Sequence, residues 1–140
     1  MEWDIKSNIP HRAPMLLVDE IKNVKPMESI TTRFHVKKEM EIFQGHFPRN
    51  PVLPGIYSIE IMAQTADLLI MTDKRYRGKV PLLIGVDEAK FFSKIVPDDM
   101  LLINCKVVSE NEEKAIIKCY SEIYNGDVLA DSCFVTLAMR

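Results

Sequence analysis

The segment Phe43–Gln64, FQGHFPRNPVLPGIYSIEIMAQ, holds the residue types best suited to acid–base work. His46 sits in Gly45-His46-Phe47-Pro48, where apolar, stiff neighbours can hold an imidazole in place. A neutral histidine is the natural general base near physiological pH. Further on, Glu60 is the only charged residue between Arg49 and Asp67. If buried among its apolar neighbours, the carboxyl would be kept protonated by desolvation and ready to donate, whereas a nearby helix N-terminus would favour the anion. Between the two stands Pro54-Gly55. At a helix start the first N–H groups lack internal partners, and glycine lets a ligand come close, so this step could hold a developing oxyanion.

Each feature also has a plainer structural reading. Glu60, Gln64 and Asp67, at i, i+4 and i+7, could form a narrow polar stripe facing solvent. His46 could be a surface loop residue, and Pro-Gly could be turn chemistry only. His11-Arg12 reads as the anchor of a loop or a subunit contact. His35 falls on the outward side of its strand, with no second ligand at metal-binding spacing, so no metal site is expected.

The elements that must position these residues can be read from periodicity. Trp3–Asn8 reads as a short helix stopped by Pro10, and Met15–Val24 as a strand. In Ser29–Val36, the residues Ile30, Thr32, Phe34 and Val36 alternate with polar ones, a strand with one face inward. Glu41–Pro54 is rich in proline and must be an irregular loop. From Gly55 to about Thr72 neither proline nor a further glycine occurs, and Ile56, Ile59, Ala63, Ala66 and Ile70 recur at helical spacing. The other faces carry Ile61, Met62, Leu68 and Leu69, so this helix is apolar nearly all round and belongs inside the protein. Strands follow at Leu82–Val86, Leu101–Ser109, Ala115–Tyr124 and Val128–Ala138, the last two joined by the hairpin signal Asn125-Gly126-Asp127. One early buried helix followed by long antiparallel strands indicates an α+β class, in a single domain spanning residues 1–140.

Composition narrows the functional classes. With 18 basic and 20 acidic side chains, the formal net charge is −2, which gives no reason to expect nucleic acid or an anionic membrane as partner. Cys105, Cys119 and Cys133 are widely spaced in strand-like runs, as buried reduced thiols would be. The N-terminal residues have neither the apolar core of a signal peptide nor the length of a membrane span, so a cytoplasmic location is expected.

Taken in order, the motifs resemble a known family. Ile9-Pro10-His11-Arg12-x-Pro14-Met15-Leu16-Leu17-Val18-Asp19, then Gly45-His46-Phe47-Pro48-x-x-Pro51-Val52-Leu53-Pro54-Gly55, then Glu60-x-Met62-Ala63-Gln64, are similar to the (3R)-hydroxyacyl-[acyl-carrier-protein] dehydratases of dissociated fatty-acid synthesis. Ala89-Lys90-Phe91 and Val96-Pro97-x-Asp99-x-Leu101 extend the resemblance over nearly the whole chain. It implies a hot-dog fold, a long central helix wrapped by a curved antiparallel β-sheet. It also implies a homodimer, in such families commonly assembled as a trimer of dimers, with each active site shared between subunits. His46 would be the catalytic base and Glu60, from the other subunit, the acid. Gly55 and Ile56 would present N–H groups to the thioester carbonyl, with Phe47, Pro48 and Gln64 supporting the loop or tunnel. The implied reaction converts a (3R)-hydroxyacyl thioester to a trans-2-enoyl thioester and water. The substrate rides on the phosphopantetheine arm of acyl carrier protein, and no metal or redox cofactor is needed.

The chain departs from the family at Arg49 and Asn50, where glycine usually follows His-Phe-Pro, at Asp67, where a small residue is usual, and at Ser93, where a basic one is common. These leave the catalytic groups in place and bear on tunnel length, carrier docking and chain preference. A dehydratase of a polyene or polyketide-like pathway is one variant they allow. A hot-dog acyl thioesterase and a non-catalytic acyl-binding hot-dog module are the competing readings.

Overall fold

A computed structural model describes residues 4–140. The chain runs α1 (Ile5–Asn8), β1 (Glu20–Lys25), β2 (Ser29–His35), a 3-10 turn at Glu41–Gln44, and α2 (Gly55–Ile70). A second 3-10 turn at Lys74–Tyr76 leads to β3 (Pro81–Phe91), β4 (Met100–Asn111), β5 (Ile116–Asn125) and β6 (Val128–Met139). The six strands form one antiparallel sheet in the order β1-β2-β4-β5-β6-β3, wrapped around α2. This is the α+β hot-dog arrangement expected from the sequence.

Alternation dictates the inward face. Ile30, Thr32 and Phe34 of β2, Leu101, Ile103 and Cys105 of β4, and Ile117, Cys119, Ser121 and Ile123 of β5 are all buried against the helix. Every residue of α2 from Ile61 to Ile70 is buried, which explains why the helix is apolar on all sides. Among its polar exceptions, Thr65 shares a 2.7 Å hydroxyl contact with Thr32. The β5–β6 hairpin turns at Gly126, whose φ of 63° is the left-handed conformation glycine adopts without a Cβ penalty. The three cysteines are buried and unpaired, and burial pushes the Cys133 thiol up to about 12.

Two expected boundaries shift. Of the predicted helix, Trp3 lies outside the described residues and only Ile5–Asn8 is helical. The predicted strand from Met15 starts at Glu20 instead. Leu17 and Val18 are apolar because they pack into the core, yet the Leu17 N–H donates to a side chain of α2 rather than to a neighbouring strand.

β3 is longer than expected and exposed. It pairs with β6 on one side only, and Leu82, Leu83, Ile84, Val86 and Phe91 all lie open to solvent in the single chain. Two register shifts, at Leu83/Gly85 and Asp87/Lys90, break its period of two. Such an apolar edge is a surface made to be covered.

Candidate active site

The proline-rich loop fixes His46 from three directions. Its N–H donates to Ile42 O at 3.0 Å, and its carbonyl accepts from Val52 N–H at 3.0 Å. Its ring Nδ1 lies 2.7 Å from Val52 O. A carbonyl only accepts, so Nδ1 carries the hydrogen and Nε2 presents a lone pair. Phe47 stacks on the imidazole, with centroids 4.1 Å apart and planes inclined by 25°. Pro48, by contrast, lies exposed on the loop and makes no polar contact with the ring. The imidazole is thus held with Nδ1–H committed to the backbone and Nε2 turned away from it.

The loop continues into the start of α2. Leu53 N–H donates to Ile95 O at 2.8 Å, tying the approach to the helix to the segment after β3. Pro54 caps the helix without a side-chain hydrogen bond. Tyr57 N–H returns to Pro54 O at 2.9 Å, while the N–H groups of Gly55 and Ile56 find no acceptor among the described residues. These are the outward-pointing donors of a helix N-terminus. Gly55 lets the Phe91 ring come close: a Cβ there would stand 2.9 Å from its Cε1, so the ring would have to move to admit one. A cleft of about 400 Å³ opens here, lined among others by Gly55, Ser58, Phe91, Phe92, Lys94 and Asp131. Burial pushes the Asp131 carboxyl above the usual range, partly offset by a hydrogen bond from Ser58. A larger depression of about 940 Å³ beside α1 and β1 contains none of these groups.

Glu60 lies one turn further along α2, its side chain 27% exposed. The stripe it forms with Gln64 and Asp67 is present, but it faces inward: Gln64 and Asp67 are 0% and 2% exposed. The chain between α1 and β1 covers it. Gln64 binds that covering segment, its Oε1 accepting from Leu17 N–H at 2.8 Å and its Nε2 donating to Met15 O at 2.6 Å. Those two bonds fix which end of the amide is which. The same Nε2 donates to Glu60 Oε2 at 2.8 Å. Gln64 therefore clamps both the covering segment and the carboxyl.

His11, expected to serve as a loop anchor or subunit contact, is instead drawn into this cluster. Its Nε2 lies 3.5 Å from Glu60 Oε2 and 3.8 Å from Asp67 Oδ2. Arg12 does the anchoring, donating to the carbonyls of Lys6, Ile9 and His11. Burial drives the Asp67 carboxyl well above its usual range, helped by the neighbouring charges of Glu60 and Cys105. Desolvation therefore holds Asp67 in the neutral form.

Within one chain, two half-sites result. His46 and the helix N-terminus form one, and Glu60 with Gln64, His11 and Asp67 forms the other. Among the described residues, no hydrogen bond or ion pair joins His46 to Glu60. Ile56, 73% exposed, and Phe47, 50% exposed, lie open near the helix start. No group of residues among those described is suited to hold a metal ion, and no helix is long and apolar enough to cross a membrane.

Comparison with known proteins places this geometry. Residues 9–134 match the FabA-like domain family. A 3-hydroxyacyl-[acyl-carrier-protein] dehydratase FabZ of Lactobacillus helveticus is 37% identical over 120 residues, covering 86% of this chain and 81% of the relative. The FabZ of Levilactobacillus brevis is 35% identical over 133 residues, covering 95% and 88%. Among solved structures, the dehydratase heterocomplex ApeI:P from Xenorhabdus doucetiae superposes with a TM-score of 0.83 over 100% of this chain and 93% of that one, at 17% identity, a likeness of fold. The family match spans most of the chain and takes in both half-sites, and so this chain belongs to the FabA-like family.

Proposed function

We propose that the protein dehydrates a (3R)-3-hydroxyacyl thioester carried on the phosphopantetheine arm of acyl carrier protein, in fatty-acid synthesis or a related polyene- or polyketide-like pathway. The observation that carries this reading is the hydrogen bond of His46: its Nδ1–H is committed to Val52 O, which leaves Nε2 as the ring nitrogen that can exchange a proton with a substrate. It lies on the loop that runs directly into the unclaimed N–H groups of Gly55 and Ile56. The curated dehydratases cited above support the assignment of substrate and reaction.

The thioester oxygen accepts hydrogen bonds from Gly55 and Ile56 N–H, a kind of stabilisation worth about 3–4 kcal/mol per donor in comparable sites. His46 Nε2 removes the α-proton as the α–β double bond forms. The β-C–O bond breaks, and the hydroxyl takes the proton of Glu60 to leave as water. Two atoms of hydrogen and one of oxygen depart together, so the electrons balance without a redox partner. Afterwards His46 sheds its proton and Glu60 regains one, which restores the resting state.

The two half-sites are completed by a second copy. Pairing of β3 with its counterpart would cover the open apolar edge and bring His46 of one subunit toward Glu60 of the other, in a homodimer and, at a higher level, a trimer of dimers. The protein works in the cytoplasm, needs no cofactor of its own, and takes acyl carrier protein as its partner rather than nucleic acid or membrane.

Mass spectrometry of purified protein incubated with hydroxyacyl carrier substrates of several lengths tests the reading. Loss of water supports it; release of free acid indicates a thioesterase, and an unchanged substrate indicates an acyl-binding module. His46→Ala and Glu60→Gln should each abolish the loss of water while leaving the thermal transition in place. Near-wild-type turnover in either variant defeats the mechanism.

A further inference from the structure

We propose that His11 and Asp67 are positioning residues for Glu60, acting as one unit that stands beside Glu60 Oε2, the oxygen bound by Gln64, and leaves Oε1 to face the substrate hydroxyl. The inference rests on the acid role given to Glu60 above and adds two residues to it.

The argument begins with the tautomer of His11. Burial lowers its proton affinity, offset in part by Glu60 and reinforced by Arg12, so the ring is neutral and carries one N–H. Nδ1 is buried with no partner. A buried N–H without an acceptor is rarer and more costly than an acceptor without a donor, so the hydrogen belongs on Nε2. Nε2 is the nitrogen that faces Glu60 Oε2 at 3.5 Å and Asp67 Oδ2 at 3.8 Å. Oε2 therefore faces two donors, the Gln64 amide at 2.8 Å and the His11 N–H. With that oxygen occupied, a proton on the Glu60 carboxyl sits on Oε1. Both arrangements follow from backbone anchors rather than from chance rotamers: Arg12 pins the His11 loop, and Met15 and Leu17 pin Gln64.

Asp67 supplies the floor of this arrangement. It lies one turn beyond Gln64 on the same stripe, 2% exposed, with Oδ1 lacking any partner. The titratable groups bearing on it are Glu60 on α2, His11 and Arg12 on the covering loop, Cys105 on β4 and Cys119 on β5. None of these offers a paired cation, so Asp67 stays neutral. Neutral, it places Oδ2 3.8 Å from His11 Nε2 without setting a negative charge beside Glu60. A small residue at this position would leave the imidazole unsupported from below.

The test is a double-mutant cycle read as kcat and KM against pH, with His11→Ala, Asp67→Ala and the pair, plus His11→Gln, which keeps an Nε2 donor. Each alanine variant should lower kcat by about tenfold with KM changed less than about twofold, and the double variant should be no slower than the worse single, because the residues act through one another. His11→Gln should recover most of the loss. Effects that multiply to about a hundredfold, or equal losses in His11→Ala and His11→Gln, would overturn the proposal. If Asp67→Ala does not fold, Asp67→Leu, which removes both oxygens at similar volume, takes its place in the same cycle. An infrared difference spectrum adds a readout independent of turnover. The wild type should show a protonated carboxylic-acid band that vanishes in Asp67→Asn and shifts in His11→Ala. A wild type that retains this band but fails to dehydrate would sink the dehydratase assignment alone, whereas an active wild type lacking the band would sink the cluster.

Discussion

Replacing Gln64 with leucine separates what this residue does for folding from what it does for catalysis. Leucine has nearly the same volume and keeps the helix, but removes three hydrogen bonds at once: from Leu17 N–H, to Met15 O and to Glu60 Oε2. The three are not equal. Leu17 is 1% exposed, so its N–H is left buried without an acceptor, a loss of about 1–3 kcal/mol. Met15 is 43% exposed and Glu60 27%, so both of these partners can turn to water at little loss. An apolar side chain in a fully buried position returns about 1 kcal/mol. The sum predicts a net destabilisation of up to about 2 kcal/mol in urea titration, with faster hydrogen exchange at the Leu17 amide. Turnover should fall further than stability alone explains, since Glu60 loses its one donor closer than 3 Å. Gln64→Glu serves as the contrast: it keeps an acceptor for Leu17 yet places a second carboxyl against Glu60, so its defect should grow as pH rises. A leucine variant with wild-type stability and unchanged Leu17 exchange would show that the clamp is not what holds the covering segment.

Other predictions follow from single contacts. Gly55→Ala should fold at least as well as wild type, since alanine favours the helix by up to about 1 kcal/mol and the Phe91 ring, 52% exposed, can swing aside; kcat/KM should nonetheless fall by about tenfold because the Cβ crowds the N–H platform. Ile84→Lys, on the uncovered edge of β3, should give a sedimentation coefficient of a monomer and loss of dehydration; an unchanged oligomer would rule out pairing through that edge. Asp67→Asn should flatten the pH dependence of stability. The folded state holds the Asp67 proton more tightly than the unfolded chain, so its contribution is complete below the ordinary value of 3.8 and is lost as pH rises toward the folded value. Urea titrations at pH 4 and pH 8 should therefore show wild type losing more stability than the variant between them, by up to about 1.4 kcal/mol per pH unit over the window.

The sequence carried the fold well where one face of an element meets the core and the other meets water. The alternation through Ile30, Thr32 and Phe34 is of this kind, and so is the all-round apolar helix that is buried from Ile61 onward. It failed where apolar character served another purpose. Leu17 and Val18 look like strand residues, but their segment is bound to a helix side chain. About half of β3 escaped the sequence reading because bulges break its period and its open face is apolar. At the site, the spacing of Glu60, Gln64 and Asp67 showed that a polar stripe exists, but not which way it faces. Direction depends on a segment 47 to 49 residues earlier in the chain. Nothing local to His11 reveals its neighbours; the available clue was a helix with a polar stripe and no evident partner for it.

The covering of that stripe gives the molecule a specific way to fail. Residues 11–17 belong to no strand and are held on α2 by the Gln64 clamp, the His11 contacts and the buried Leu17 side chain, while the sheet is built from residue 20 onward. The segment can therefore lift away, or be cut by a protease, without dismantling the sheet. The remaining chain would keep its strands and helix but lose the groups that orient the carboxyl. In a cell, such a nicked molecule would pass as folded while doing nothing, and paired with an intact copy it would silence one of two shared sites.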